Sequence, residues 1–298
     1  MDSASAQPID VFLHIEKTGG STLRTLLHEE YAGHLLKLYY RKQGRELPEV
    51  VADLREMSPS QWSAYRLVLG HIGHGIHTEI PRTARYFTLV RHPVEMLMSQ
   101  YLHSQRVAGS SHHDAAVSHS LTECLRRELV PEWINPMVWN LSGARWHMEM
   151  GERGDDPVDA SDLAAATRNL ETFSIAGITE KYGMSVAAMR SLLGWREAMY
   201  TTSNVGPSPS WRRDPELRRE LTALVELDLQ LYATAEDRFN RLWAEHEADF
   251  RRAMEATRWA QRRHMWRVTT RKKWLLLRKV FRTSGGDSAR IVRSSDRS

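Results

Sequence analysis

The feature that most constrains this chain is a glycine turn set between an apolar run and a helical one near its start. Ile9 to Ile15 suits a short buried strand, Lys17-Thr18-Gly19-Gly20 breaks it, and Ser21 to Tyr31 follows with Leu23, Leu26 and Leu27 at helical spacing. A strand that ends in glycines and opens a helix is a phosphate cradle. Glycine lets the backbone turn tightly and approach an anion, successive N–H groups point inward, and the helix N-terminus adds partial positive charge. Lys17 adds a full charge, and Ser21 and Thr22 are expected to cap the helix while donating to phosphate oxygens. In a Walker A loop the lysine follows the glycines; here Lys17 precedes them, which disfavours a magnesium-dependent nucleotide triphosphatase.

Further strands are expected at Arg66 to Leu69, running into Gly70-His71, at Arg85 to Val90, and at Phe173 to Ile178. Arg91-His92-Pro93 stops the Arg85 strand and places Pro93 in the first turn of a helix over Val94 to His103. Strands alternating with helices predict an α/β, P-loop-like three-layer fold with a central parallel sheet. From Asp214-Pro215 the sequence reads as almost wholly helical, giving a long C-terminal helical extension. The expected division is a body over 1–250, a basic helical extension over 251–284 and a disordered polar tail over 285–298. Residues 251–298 carry 15 Lys and Arg against three acids, a balance of +12, which leaves −8 for residues 1–250 out of the chain's +4. Cys124 is the single cysteine, so no internal disulfide forms, and a small buried hydrophobe is its expected role. Met1 to Asp10 has no signal-peptide pattern and no apolar run approaches the ~20 residues of a spanning helix, so a cytoplasmic protein is expected.

A second anion site is expected at the end of the Arg85 strand. Arg91 offers a fork of donors suited to a phosphate dianion, and Ser99, eight residues on, lies about two helical turns along the following helix. Between the two sites, Gly70 to His77 holds three histidines, His71, His74 and His77. A metal site competes for this reading, but no nearby Cys or Asp completes a ligand set.

His14-Ile15-Glu16-Lys17-Thr18-Gly19-Gly20-Ser21-Thr22 resembles the H-x-x-K-T-G-G-[ST]-[ST] loop of the carbohydrate sulfotransferases, in particular the group resembling heparan sulfate 2-O-sulfotransferases. Arg91-His92-Pro93-Val94-Glu95-Met96-Leu97-Met98-Ser99-Gln100-Tyr101 is similar to that family's R-D-P-V-E-R-x-x-S-x-Y, with His92 and Met96 departing from the commoner Asp and Arg. Weaker likenesses follow in the right order: Asn135 to Gly143, Asn169 to Ser185, and Asn204-Val205 with Arg212, which echoes a late loop over the nucleotide. Together they span about residues 9 to 243.

The resemblance implies 3′-phosphoadenosine 5′-phosphosulfate (PAPS) as co-substrate with no metal requirement. It implies that Lys17, Thr18, Gly19, Gly20, Ser21 and Thr22 hold the 5′-phosphosulfate, that Arg91 and Ser99 hold the 3′-phosphate, and that Lys17 stabilises the departing oxygen. His71 is the implied general base, for which an imidazole neutral near pH 7 is suited; His74 and His77 would shape the acceptor cleft or pack. The implied acceptor is a carbohydrate or other hydroxyl. Two alternatives stand beside it: a nucleotide-dependent kinase on a related fold, and a binding protein acting through its tail. There Trp259, Trp266 and Trp274 alternate with Arg262, Arg263, Arg267, Arg271, Lys272 and Lys273, suiting an anionic membrane surface or an oligomer contact more than a specific nucleic acid.

Overall fold

The computed structural model describes residues 7–196 and 209–259. Asn204-Val205, the tail over 285–298 and the basic extension from residue 260 lie outside the described residues.

The elements run β1 (Ile9–Leu13), α1 (Gly20–Glu30), β2 (Leu35–Leu38), α2 (Leu47–Glu56), α3 (Pro59–Ser63), β3 (Leu67–Gly70), β4 (Ala84–Val90) and α4 (Pro93–Arg106). There follow α5 (His113–Ser118), α6 (Leu121–Arg126), α7 (Pro136–Ser142), α8 (Ala144–Glu149), α9 (Ala160–Thr172), β5 (Ile175–Ile178), α10 (Tyr182–Leu193), α11 (Pro215–Leu224) and α12 (Glu226–Glu245). The five strands form one parallel sheet in the order β2-β3-β1-β4-β5. In β1, β3 and β5 every residue is buried. Because successive side chains point to opposite faces, a strand buried throughout is covered on both sides. The result is the expected α/β architecture, with helices flanking a central parallel sheet.

Each expected strand is present, β1 and β5 shortened by two residues, β3 shifted by one and β4 longer by one, and β2 is an addition that the sequence did not announce. The C-terminal helical region is broken at Val225 into α11 and α12, and helix resumes over 247–259. That last stretch runs through the expected boundary at 250 and is packed down, with Phe250 and Thr257 buried and Arg190 reaching the carbonyl of Ala253. Cys124 is buried and free. No helix among the described residues is long and apolar enough to cross a membrane.

Parallel pairing brings the C-terminal ends of all five strands to one edge, the edge at which open α/β sheets bind ligands. At the opposite end the start of the sheet is fixed by a buried network. Arg85 Nε donates to Asp10 Oδ1 at 2.6 Å, the Tyr31 hydroxyl donates to Asp10 Oδ2 at 2.5 Å, and Trp195 Nε1 donates to the Tyr31 oxygen at 2.8 Å.

A second buried carboxylate ties the C-terminal helices to the body. Asp228 on α12 is fully buried, accepts the amides of Met137 (3.0 Å) and Val138 (2.8 Å) at the start of α7, and donates its own amide to Asn135 Oδ1 (2.9 Å). Burial pushes the Asp228 carboxyl up to about 7, against the two amide bonds, which favour its charged form. An unfolded Asp titrates near ~3.9, so between those limits the folded state holds the extra proton and this group's contribution to stability falls as pH rises. Asp228→Asn should remove that slope. Urea midpoints measured from about pH 5 to about pH 7 should show the wild type losing stability relative to the variant by at most ~1.4 kcal/mol per pH unit; parallel curves would contradict this.

Candidate functional site

The turn after β1 is built by two residues in left-handed backbone, Lys17 at φ 63° and Gly19 at φ 86°. Gly19 is the N-cap of α1 and accepts the amide of Thr22 at 3.2 Å. The N-cap is therefore two residues before Ser21 and three before Thr22, and those two residues lie inside the first turn rather than capping it. Ser21 is exposed and Thr22 is mostly buried. Thr18 is fully buried with its hydroxyl donating to the Ile15 carbonyl at 2.9 Å. Its side chain thus braces the loop, and what it can offer an anion is its amide. Among the described residues, the amides of Thr18 and Gly19 make no hydrogen bond to the backbone.

The end of β5 supports the loop from below. Thr179 Oγ1 lies 2.5 Å from the Thr18 carbonyl and 2.8 Å from that of Val90, joining the ends of β1, β4 and β5. Glu180 accepts the amide of His92 at 3.0 Å and the Tyr232 hydroxyl at 3.1 Å, so it caps the start of α4 where His92 itself makes no side-chain cap. The Tyr182 ring lies close enough to Gly19 that a Cβ there would meet it at 3.1 Å.

Arg91 extends from the end of β4 directly onto the loop. Its Nη1 donates to the Lys17 carbonyl at 3.0 Å, while its Nε is buried and has no hydrogen-bond partner among the described residues. Burial lowers the Lys17 pKa, and the charges of Arg91 and Arg106 add to this against the attraction of Glu16. Arg91 is lowered likewise, first by burial and then by Arg212, against Glu180 and Glu95. Two crowded cations, each destabilised in its charged form, would both gain from an anion placed between them. Arg212 and Arg218 stand behind them, both paired with Glu95 on α4, Arg218 at 2.7 Å. Ser99 is half-buried on α4. The structure therefore joins Lys17 and Arg91 by contact, and Ser99 belongs to the group only through α4.

His71 follows β3 and sits against the loop from the other side. Its Nδ1 lies 2.9 Å from the His14 carbonyl, an acceptor, so Nδ1 carries a proton and, in the neutral ring, Nε2 carries the lone pair. The ring stacks on the His14 imidazole with centroids 4.4 Å apart and meets the Tyr39 ring edge-on at 5.0 Å. His14 is pinned in turn, with Nδ1 3.0 Å from the Tyr39 hydroxyl and its ring lying over Gly20, where a Cβ would come within 2.1 Å of Nε2. Gly20 is thus required for this close approach and not for its backbone angle. Glu16 Oε1 is 3.9 Å from His71 Nε2, and its Oε2 accepts from Gln100 Nε2 at 3.3 Å. Burial works against ionising Glu16, but attraction by His71, Arg145 and Lys17 outweighs it and holds the carboxyl below its usual range.

His74 and His77 lie away from this group. His74 packs among the rings of His77, Tyr86 and Phe173, and burial lowers its pKa to about 4, keeping it neutral. His77 Nδ1 lies 3.0 Å from the Tyr86 hydroxyl. Residues that sequence reasoning did not assign to the site are Tyr39, Glu16, Gln100 and Thr179. Glu16, Gln100 and Thr179 lay in quoted motifs without a role; Tyr39 lay in none and reaches the site through tertiary contacts that no local pattern encodes.

No protein-family profile matches the chain, and no curated protein does either. Among solved structures it is similar to a sulfotransferase from Alicyclobacillus acidocaldarius, with 16% identity and a TM-score of 0.40 over 79% of this chain and 96% of the other. It is also similar to mouse sulfotransferase SULT7A1 complexed with PAP, with 13% identity and a TM-score of 0.29 over 78% of this chain and 92% of the other.

The arrangement should bind inorganic polyanions. Pyrophosphate is expected to raise the melting temperature of the wild type and to leave that of Arg91→Ala unmoved; equal shifts in both would remove Arg91 from the site.

Proposed function

We propose that this chain transfers a sulfuryl group from PAPS to a hydroxyl of a carbohydrate or glycoconjugate, releasing 3′,5′-diphosphoadenosine. One observation carries the reading. Arg91 is bonded to the carbonyl of Lys17 itself, so the strand-end arginine and the glycine loop form one continuous cationic surface with His71 beside it.

The residues present fit the donor. The buried Nε of Arg91 is an unsatisfied polar atom of a kind that native structures rarely leave without a ligand. The unbonded amides of Thr18 and Gly19 and the start of α1 supply the neutral donors expected around a phosphate. When bound, PAPS supplies the sulfuryl group and a leaving phosphate oxygen. Lys17 would balance charge growing on that oxygen, and an arriving anion would offset the burial and the neighbouring arginines that lower its pKa. Arg91, with Ser99 farther along α4, would hold the 3′-phosphate and so fix the register of the adenosine.

His71 performs the proton chemistry. With Nδ1 committed to the His14 carbonyl, Nε2 accepts the proton of the attacking hydroxyl as the new sulfur–oxygen bond forms and the bond to the 5′-phosphate oxygen breaks. The stacked ring of His14 and the edge of Tyr39 hold the imidazole in plane, so little rotation has to be frozen at the moment of transfer.

The basic segment from residue 260 is proposed to carry the protein to an anionic membrane surface. A truncation that tests this should follow Trp259, since Thr257 is still buried in the body.

General-base help is worth about 10² to 10⁴-fold in rate. His71→Ala should therefore lower turnover with labelled PAPS by that range while calorimetry shows an unchanged affinity for 3′,5′-diphosphoadenosine. Full turnover in the variant would remove His71 as base, and label transferred from ATP but not from PAPS would replace the reading with a kinase.

A further inference from the structure

Glu16 is an acidic group beside His71 and Lys17, and sulfuryl transfer as described above does not use it. Its two oxygens have different surroundings. Oε2 is held by Gln100 Nε2 at 3.3 Å, whereas Oε1 faces His71 Nε2 across 3.9 Å. That gap is too long for a direct hydrogen bond, whose limit is about 3.2 Å. It is also too short for a single oxygen to lie in line between the two groups. Hydroxyls on adjacent carbons stand about one hydrogen-bond length apart, so such a pair spans the gap, with one hydroxyl donating to Nε2 and its neighbour to Oε1.

Resting on the proposed sulfuryl transfer, we infer that Glu16 selects the acceptor by binding the hydroxyl next to the attacking one, so that the acceptor is an uncharged vicinal diol of a sugar. The carboxylate keeps its charge throughout, and the proton of the attacking hydroxyl still passes to His71 Nε2. Three observations converge on this assignment. Although the surrounding protein crowds Glu16 and opposes its ionisation, its side chain is 57% exposed, so an acceptor can reach it. Gln100 fixes its rotamer from α4 through the hydrogen bond to Oε2. Arg145, whose charge acts on Glu16, is already bound to Glu149 at 3.0 Å and Asn140 at 3.1 Å, so it is committed within the protein rather than presented to an acidic sugar. A negatively charged acceptor would meet the Glu16 carboxylate with Arg145 already engaged elsewhere.

The test compares three acceptors with labelled PAPS: a methyl hexoside, its monodeoxy analogue lacking the neighbouring hydroxyl, and the corresponding uronate. Wild type should prefer the hexoside to both by at least about tenfold in kcat/KM, since a site built to bind a hydroxyl rejects the analogue that lacks it. In Glu16→Ala the preference over the deoxy analogue should fall towards one. In Glu16→Gln the uronate should gain on the hexoside. Affinity for 3′,5′-diphosphoadenosine and melting temperature, measured on both variants, separate this from a merely structural effect on the loop. Preferences that survive both substitutions would overturn the inference while leaving sulfuryl transfer standing. A failure to transfer label from PAPS to any of the three by the wild type would overturn both.

Discussion

The site depends on a single hydrogen bond, from Arg91 Nη1 to the carbonyl of Lys17. The carbonyl is available because Lys17 adopts left-handed backbone at φ 63°, a conformation that costs about 1 kcal/mol or more for a residue with a Cβ and persists only where its surroundings enforce it. The enforcement is visible. Thr18 closes the turn from within through Ile15, and Thr179 ties the same turn to the ends of β4 and β5. What could have been two anion contacts on separate strands is thereby one rigid surface. The same turn carries Glu16 toward His71 and the His14 carbonyl to its Nδ1, so donor site, base and acceptor site share one short stretch of backbone.

That surface is held in place by polar groups the core can ill afford to lose. At the amino end of the sheet the Asp10 carboxylate satisfies both Arg85 and Tyr31, and Tyr31 in turn satisfies Trp195 from the far end of α10. Removing one partner from such a buried network leaves the others unpaired, which costs about 3–5 kcal/mol where charge is involved. Asp228 does the same for the start of α7, and α7 brings Asn140 to Arg145 beside the loop. Packing at a distance thus reaches the site through a chain of satisfied donors.

Much of this was legible in the sequence, for reasons that differ by element. The β1 turn and helix were readable because glycine and lysine at those positions have few other uses, and β4 with Arg91 was readable because Pro93 marks a helix start. β2 was missed because Leu35–Leu38 is a four-residue edge strand that alternates too briefly to show a period. Its loss hid Tyr39, which follows it and braces both histidines. The short helices between 113 and 172 were also missed, although Ser120 with Glu123 and Asp159 with Asp162 form capping boxes that were there to be read. Ser21 and Thr22 were assigned as caps because their residue types favour that role; the left-handed Gly19 took it instead. Glu16 and Gln100 lie 84 positions apart in the chain, and only the packing of α4 beside the loop brings them together.

The most direct test of the shared surface is a double-mutant cycle on 3′,5′-diphosphoadenosine affinity, with Lys17→Met, Arg91→Ala and both together measured by calorimetry. If the two cations grip one nucleotide through a common turn, the losses should be non-additive by about 0.5–3 kcal/mol, the range for residues in contact. Losses that simply add would contradict a single site, and a wild type without affinity for this nucleotide would contradict the whole reading.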